Sequence, residues 1–185
     1  MQETITTISA PSNGLYKDKG SRFLSFAEPV DSVEQIKQRL DYYRHKYFDA
    51  RHVCYAYMLG AERVNFRAND DGEPSGTAGR PILGQINSKQ LTNVMVVVVR
   101  YFGGILLGTS GLIVAYREAT KDALCNADII TKDLTRTITL RFPYEKMSEK
   151  MKLVRDTDSR ILKEDFDGQC ILTIEYKVKH EHRFQ

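Results

Sequence analysis

Tryptophan is absent from this 185-residue sequence, and cysteine and proline are scarce, with 3 and 5 residues. Cys54, Cys125 and Cys170 are odd in number and widely spaced, and they form no C-x-x-C pair. This pattern argues against a disulfide framework and predicts free thiols in a reducing compartment. The scarce proline and a hydrophobic content of 42% argue against a disordered chain.

The sequence also lacks long apolar runs and an N-terminal pattern of basic and then apolar residues, so neither a membrane span nor a secretory signal is expected. The formal net charge is only +3, which excludes a general polyanion binder and requires any nucleic-acid surface to be local. These absences predict a cytoplasmic, globular protein with no membrane partner. The length is sufficient for one domain of common size and a small second one.

Hydrophobic periodicity predicts an α+β chain with α/β two-layer architecture. The predicted strands cover residues 3–8, 22–29, 52–59, 63–67 and 93–101, and the predicted helices cover 33–48, 81–87 and 109–126. The inward face of the last helix is expected to consist of Leu112, Ala115, Tyr116, Ala119, Ala123 and Leu124. Asp31 or Ser32 is expected to cap the first helix. The apolar run that ends at Arg100 is typical of a central strand buried on both faces.

A short polar segment over 128–134 is expected to join two domains, an N-terminal one over 1–130 and a smaller one over 131–185. The second region reads as a strand over 135–142, a helix over 144–156, and two strands over 160–165 and 169–178 around the turn at Asp167 and Gly168. This β-α-β-β order is one helix and one strand short of a complete ferredoxin-like unit.

The densest set of glycines lies between the central strand and the longest predicted helix. Closely spaced glycines let backbone N–H groups approach a ligand, and the first N–H groups of a helix are unpaired and favour anions. A nucleotide-hydrolysing P-loop is not expected, because Thr109 stands where that motif requires lysine. The alternative interpretation, held equally, is that the glycines only allow close packing of helix on strand.

An acidic segment with turn-forming residues precedes the helix predicted over 81–87. Its carboxylates, on Asp70, Asp71 and Glu73, could bind a hard cation, but the ligand spacing of a calcium loop is missing. The favoured interpretation is that Asp70 and Asp71 pair with nearby arginines or cap the glycine turn. With Arg80 and Arg100 as the nearest candidate partners, it predicts that this segment and the glycine-rich loop lie side by side. Ser75 or Thr77 is expected to cap the helix.

Two further patterns have a chemical and a structural interpretation. His52 and Cys54 share one face of a strand, but a buried, unreactive thiol is favoured over a catalytic pair. Arginines beside aromatic residues, as at Arg100 and Tyr101, could combine phosphate contacts with base stacking, and a solvated face is an equal alternative.

The segment D-D-G-E-P-S-G-T-A-G-x-P-I-L over 70–83, followed by V-V-V-R-Y-F-G-G-I-x-L-G over 97–108, resembles the signature of the IMPACT/YigZ family, in its bacterial form. The resemblance covers roughly residues 16–126 well and the remainder more loosely. Two positions depart from the family pattern: Leu106 stands in G-G-x-K-L-G where lysine is common, and Val114 stands in R-A-Y where arginine is common. Both departures remove basic groups from the proposed phosphate surface.

The resemblance implies an N-terminal domain like the second domain of ribosomal protein S5 and a C-terminal ferredoxin-like domain similar to domain V of elongation factor G. It also implies translation regulation, since eukaryotic relatives regulate initiation through a kinase pathway. Bacterial members have no settled biochemical activity.

The sequence therefore favours a non-enzymatic binding protein that acts in translation regulation through RNA, the ribosome or a partner protein. The alternative is an enzyme acting on a phosphorylated or carboxylated small molecule in the cleft between residues 70–81 and 100–111. No complete set of nucleophile, base and orienting group is visible, so no catalytic residue, cofactor or metal is assigned. The candidate binding residues are Arg51, His52, Asp70, Asp71, Glu73, Ser75, Thr77, Arg80, Arg100, Tyr101, Gly103, Gly104, Gly108, Thr109, Ser110 and Gly111.

Overall fold

The computed structural model describes residues 2–185 and shows an α+β fold, as predicted. Its elements are β1 (Thr4–Ile8), β2 (Ser12–Asp18), β3 (Ser21–Pro29), α1 (Val33–Lys46), β4 (His52–Leu59), β5 (Asn65–Asn69), α2 (Gly79–Ser88), β6 (Val94–Tyr101), α3 (Gly108–Cys125), β7 (Ile129–Asp133), β8 (Thr135–Phe142), α4 (Met147–Asp156), β9 (Arg160–Asp165) and β10 (Cys170–Lys177). Within the described residues, none of the helices combines the length and the apolar character needed to cross a membrane.

The chain divides into two compact units. The larger unit is Thr6–Thr131, and the smaller unit is Lys132–Gln185 together with the residues up to Ile5. The segment over 128–134, predicted as a polar connection, contains strand β7, which forms a two-stranded sheet with β1.

The larger unit is built on a five-stranded antiparallel sheet in the order β2-β3-β6-β4-β5. The central strand β6 is buried on both faces, as its unbroken apolar run predicts. Its successive side chains pack alternately into two hydrophobic cores. One core lies under α1, and the other lies under α2 and α3. Burial of each such side chain contributes about 1.5–3 kcal/mol, so β6 stabilises both cores of this unit.

Three helices cover the sheet at the places their periodicity predicts. Ile36, Leu40 and Tyr43 of α1 are buried on one face. On the other face, the buried residues of α3 are the predicted set together with Thr120: Leu112, Ala115, Tyr116, Ala119, Ala123 and Leu124. Ser32, one of the two candidates, caps α1 by accepting a hydrogen bond from the N–H of Gln35.

Some boundaries were predicted wrongly. Strand β2 was missed because its short, polar sequence alternates only weakly, and it includes Gly14, where a Cβ would lie 2.4 Å from the backbone N of Ala123. Strand β5 begins two residues later than predicted, after a turn in which Gly60 and Arg63 have positive φ.

The smaller unit contains a three-stranded antiparallel sheet in the order β8-β10-β9, with α4 between β8 and β9 in sequence. Its core includes Phe142, Val154, Leu172 and Ile174.

Pairing of β6 with both neighbours positions the candidate site. Arg22 of β3 is opposite Tyr101, and His52 of β4 is opposite Arg100. The end of β6 and the beginnings of β3 and β4 therefore meet at one end of the sheet.

Candidate functional site

Two loops meet at this end of the sheet: the acidic turn, residues 69–79 between β5 and α2, and the glycine loop, residues 102–108 between β6 and α3. Nη1 of Arg100 donates to Oε1 of Glu73 at 2.6 Å, and both residues line a cavity of about 290 Å³ together with Gly108 and Thr109. The prediction that the two segments lie side by side is therefore confirmed.

The Asp70 side chain stabilises the acidic turn by accepting hydrogen bonds from its backbone. Its Oδ2 accepts from the N–H of Gly76 at 2.9 Å, and its Oδ1 accepts from Ala78 at 3.1 Å and Gly79 at 2.8 Å. Burial acts to raise the pKa of Asp70, but these three N–H groups, helped by the charge of Arg80, lower it overall. Asp70 thus satisfies the unpaired donors at the start of α2.

This arrangement corrects the cap prediction. Thr77 is buried and donates its hydroxyl to the carbonyl oxygen of Pro74 at 2.6 Å, while Ser75 is exposed. The cap residue, Ala78, has no side-chain atom that could accept a hydrogen bond. Helix α2 starts two residues earlier than predicted because the capping oxygen comes from Asp70, which a search among adjacent residues cannot find.

Asp71 and His52 tie the turn to the beginning of β4. Oδ2 of Asp71 accepts from the N–H of Val53 at 2.7 Å. The carbonyl oxygen of Asp71 lies 2.7 Å from Nδ1 of His52, and since a carbonyl can only accept, Nδ1 carries the proton. Nε2 of the same ring lies 3.7 Å from Oε2 of Glu73.

Glu73 is the centre of a buried polar network. Besides Arg100, its Oε1 accepts from the hydroxyl of Tyr116 at 2.7 Å, and burial raises the pKa of that tyrosine. The Cys54 thiol donates to the carbonyl of Asp70 at 3.0 Å, and burial also raises its pKa, so the thiol stays protonated. Tyr116 was predicted only as a core residue, although a tyrosine on an inward helix face requires a hydrogen-bond partner.

Arg80, the other candidate cation for this turn, is exposed. Among the described residues it forms no ion pair with Asp70, Asp71 or Glu73. The carboxylates of the acidic turn instead accept hydrogen bonds from backbone N–H groups and from Arg100. Within residues 2–185, no three His, Cys, Asp or Glu side chains are grouped as a metal site.

The glycine loop is shaped by steric demands of two kinds. A Cβ on Gly103 would lie 2.0 Å from the backbone carbon of Gly20, so the loop packs backbone against backbone on the turn between β2 and β3. Gly104 and Gly108 have φ values of 88° and 72°, and a Cβ at either position would have no neighbouring atom within 4 Å, so these glycines are required for conformation alone.

Helix α3 begins without a side-chain cap. Its cap residue is Leu107, and no acidic residue lies in the first turn. Thr109 and Ser110 are exposed, and Gly111 is half-buried. The first N–H groups of an 18-residue helix therefore face an open surface, where partial positive charge favours an anion.

Apolar residues that were not among the predicted site residues line most of the cavity. They are Pro74, Phe102, Leu106, Leu107 and Leu112. Leu106 is 82% exposed and the adjacent Ile105 is 54% exposed, so the glycine loop presents large apolar side chains at the surface. The sequence did contain a signal for this apolar lining, because large apolar residues stand between the glycines. Exposed apolar residues grouped in this way are typical of a binding surface.

Cations lie over aromatic rings around this end of the sheet. The guanidinium carbon of Arg51 is 5.3 Å from the ring centre of Phe102, and that of Arg22 is 5.0 Å from the ring centre of Tyr101. Further along, Nζ of Lys46 is 5.5 Å from the ring centre of Tyr47. These residues, Arg22, Lys46, Tyr47, Arg51, Tyr101 and Phe102, are called the basic–aromatic surface below.

Comparison with known proteins relates this arrangement to one family. The sequence profile of the Impact N-terminal domain matches residues 19–124. The IMPACT family member YigZ of Escherichia coli (strain K12) is 35% identical over 170 residues, which cover 90% of this chain and 82% of that protein.

Two solved structures are also similar. A crystal structure of a hypothetical protein has a TM-score of 0.83 at 32% identity and covers 100% of this chain and 90% of its own. The structure of Yih1, described as a two-domain translational regulator, is 29% identical over 66% of this chain and 47% of its own. The TM-score of 0.39 for Yih1 is too low to inform the fold.

Proposed function

The chain belongs to the IMPACT family, and from that premise we propose that it is a non-enzymatic binding protein that acts in translation regulation by contacting RNA, free or on the ribosome. Membership supports the translational part of this proposal, because the family resemblance implies regulation of translation. The physical support for RNA comes from the basic–aromatic surface.

The pairing of cations with rings is the observation that carries the proposal. Arg51 with Phe102 and Arg22 with Tyr101 each place a guanidinium beside an aromatic face at the same end of the sheet. Single-stranded RNA offers both chemistries at a spacing of one nucleotide, since bases stack on aromatic rings and phosphates pair with arginine. Stacking of this kind contributes about 1–3 kcal/mol per base, so a few pairs are sufficient for measurable binding.

The start of α3 adds a second, weaker contact for phosphate. Its N–H groups near Thr109, Ser110 and Gly111 are uncapped, and Arg51 is an exposed cation that lines the same cavity as Gly108 and Thr109. Arg100, which the sequence suggested together with Arg51 as a binding residue, is only 5% exposed and donates to Glu73. Arg51 therefore remains as the proposed arginine contact.

The enzyme alternative requires an activated nucleophile, and the thiol that the sequence suggested for this role is not available in reactive form. The Cys54 thiol is buried and donates to a backbone carbonyl, and burial raises its pKa, which opposes thiolate formation. Glu73 accepts bonds from Arg100 and Tyr116. These contacts favour binding over catalysis.

The test is a fluorescence anisotropy titration of a labelled single-stranded RNA of about 12 nucleotides, at salt from about 50 to 200 mM. We expect log–log salt dependence to be linear, and Arg51→Ala to weaken binding about tenfold and reduce the slope by about 0.7. Phe102→Ala should weaken binding with little change of slope, because it removes stacking and no charge.

The matched control is Arg67→Ala, since Arg67 is an exposed arginine of the same sheet without an aromatic ring beneath it in the described residues. Equal losses in Arg51→Ala and Arg67→Ala would indicate a general charge effect and contradict the proposed surface. Absence of RNA binding at low salt would contradict the proposed RNA contact and favour a protein partner instead.

A further inference from the structure

The two edges of the five-stranded sheet differ in how their backbone groups are bonded. At the β2 edge, the N–H of Leu15 donates to Oδ2 of Asp122 at 2.8 Å, and the carbonyl oxygen of Asn13 accepts from Nδ2 of Asn126 at 2.9 Å. Helix α3 and its cap residue therefore close this edge. At the opposite edge, β5 pairs only with β4 among residues 2–185, so alternate residues of β5 present their backbone N–H and C=O groups outward.

Large apolar side chains stand at the open β5 edge. Val64, directly before β5, is 78% exposed, and Phe66 is 54% exposed. Side chains two positions apart lie on the same face of a strand, so Val64, Phe66 and Ala68 form one row. Phe66 and Ala68 are opposite Met58 and Ala56 of β4. Exposed strand edges are commonly protected by lysine, proline or a bulge, and none of the three occurs in β5, all of whose residues the structure describes.

We propose that β5 is an interface between two copies of this chain, whose β5 strands pair antiparallel about a twofold axis. The axis places one residue opposite the same residue of the second copy, and β5 has three interior residues that could take this place. A centre at Arg67 faces two arginines, which repel each other. A centre at Ala68 places Phe66 opposite Asp70, whose carboxylate is bonded within the acidic turn. A centre at Phe66 pairs Arg67 with the neutral Asn65, and this is the register that we assign.

The register centred at Phe66 also matches the exposed side chains by size. Phe66 lies beside Phe66 of the second copy, and on either side Val64 lies opposite Ala68. Aromatic and β-branched residues form favourable cross-strand pairs, and this pairing removes the two exposed apolar side chains of each copy from water. An unrelated strand would have to supply both the apolar row and a neutral partner for Arg67. A second β5 supplies both, so the occupant is a second copy of the chain.

The test is sedimentation velocity of the full chain at concentrations from about 5 to 500 μM. Because a pair of five-residue strands is a small interface, we expect a weak dimer with a Kd of about 10 to 100 μM. Phe66→Glu places two like charges opposite each other and should raise this Kd at least tenfold. The measurement contains no RNA, so its result is independent of the proposed RNA contact.

The matched control is Phe48→Glu, the same change at another exposed phenylalanine. Phe48 follows α1 and is 84% exposed. This variant should keep the Kd of the native chain within about twofold. A native chain that is monomeric at about 500 μM, or an equal loss of association in the two variants, would overturn the proposal.

Cysteine crosslinking tests the register, in a Cys125→Ser background because Cys125 is an exposed thiol. In the assigned register, Cα of Val64 lies about 5 Å from Cα of Ala68 of the second copy and about 13 Å from Cα of Val64 of the second copy. Cysteines with Cα atoms more than about 7 Å apart cannot be bridged. The double variant Val64→Cys, Ala68→Cys should therefore form a disulfide-linked dimer under mild oxidation, and neither single variant should.

Two crosslinking results would contradict the register. One is an equal yield of linked dimer from a single variant and from the double variant. The other is the absence of linked dimer in the double variant at a concentration where it sediments as a dimer.

Discussion

The acidic turn and the glycine loop lie side by side, but they use their polar groups in opposite ways. In the acidic turn, Asp70 accepts three backbone N–H bonds, and Glu73 is paired with Arg100 and Tyr116. The helix that follows it is therefore capped from a distance. In the glycine loop, the helix that follows has no side-chain cap.

The two segments therefore contribute differently to this site: the acidic turn stabilises the fold, and the glycine loop leaves groups available for binding. The charged turn, whose carboxylates could suggest a cation site, uses them to stabilise the fold. The uncharged loop leaves donors and apolar side chains at the surface. Charge in a sequence thus indicates a ligand site only after its internal partners have been counted.

The largest effect that would sharpen the comparison is expected at Gly103. Gly103→Ala places a Cβ 2.0 Å from the backbone of Gly20, so two loops must separate, and we expect a loss of about 3 kcal/mol in the free energy of unfolding. Urea denaturation measures it. Gly84→Ala is the control, because Gly84 lies in α2 with nothing within 4 Å, and it should gain about 0.5–1 kcal/mol. Equal stability of the two variants would show that the glycine loop is not under steric demand.

Removing the cap of α2 should be the next largest effect. Asp70→Ala leaves three N–H groups at the start of the helix without their acceptor, which we expect to cost about 2 kcal/mol. Thermal and urea unfolding test this, with Asp41→Ala on the exposed face of α1 as control. A loss no greater than that of the control would mean that the acidic turn is not a structural cap.

A smaller effect should appear in the pH dependence of stability. Because the pKa of Asp70 is lowered in the folded state, its contribution is fully present above the unfolded pKa of about 3.9 and is lost as the pH falls through the folded value. Urea unfolding from about pH 6 to pH 3 should therefore show a steeper loss of stability for the native protein than for Asp70→Asn. Parallel curves would contradict the assigned ionisation.

The smallest effect has the opposite sign and lies in the first turn of α3, directly after the glycine loop. Thr109→Asp adds a negative charge to the uncapped first turn of α3 and should raise the free energy of unfolding by about 0.5 kcal/mol. Differential scanning calorimetry measures it, with Thr109→Asn as neutral match. The same variant should weaken RNA binding, so a stabilised variant with unchanged RNA affinity would remove α3 from the proposed contact.

Much of the fold was predictable because its signals are local. The valines before Arg100 indicated a doubly buried strand, and the spacing of Leu112, Ala115 and Ala119 indicated the inward face of a long helix. Strand β2 was missed because an edge strand with polar residues and Gly14 has no strong local preference. The family followed from two long motifs.

The sequence by itself identified the two motifs and indicated that glycines are needed between β6 and α3. It also predicted that the two motif segments lie side by side. Only the tertiary structure decided which polar groups remain available. Asp70 caps a helix that begins nine residues later, and Arg100 is paired with Glu73 across a distance of 27 positions in the chain. The pairing of Arg100 with Glu73 depends on how β4, β5 and β6 align, which brings residues far apart in the chain within 3 Å, and the spacing of two residues in the sequence does not show such a contact.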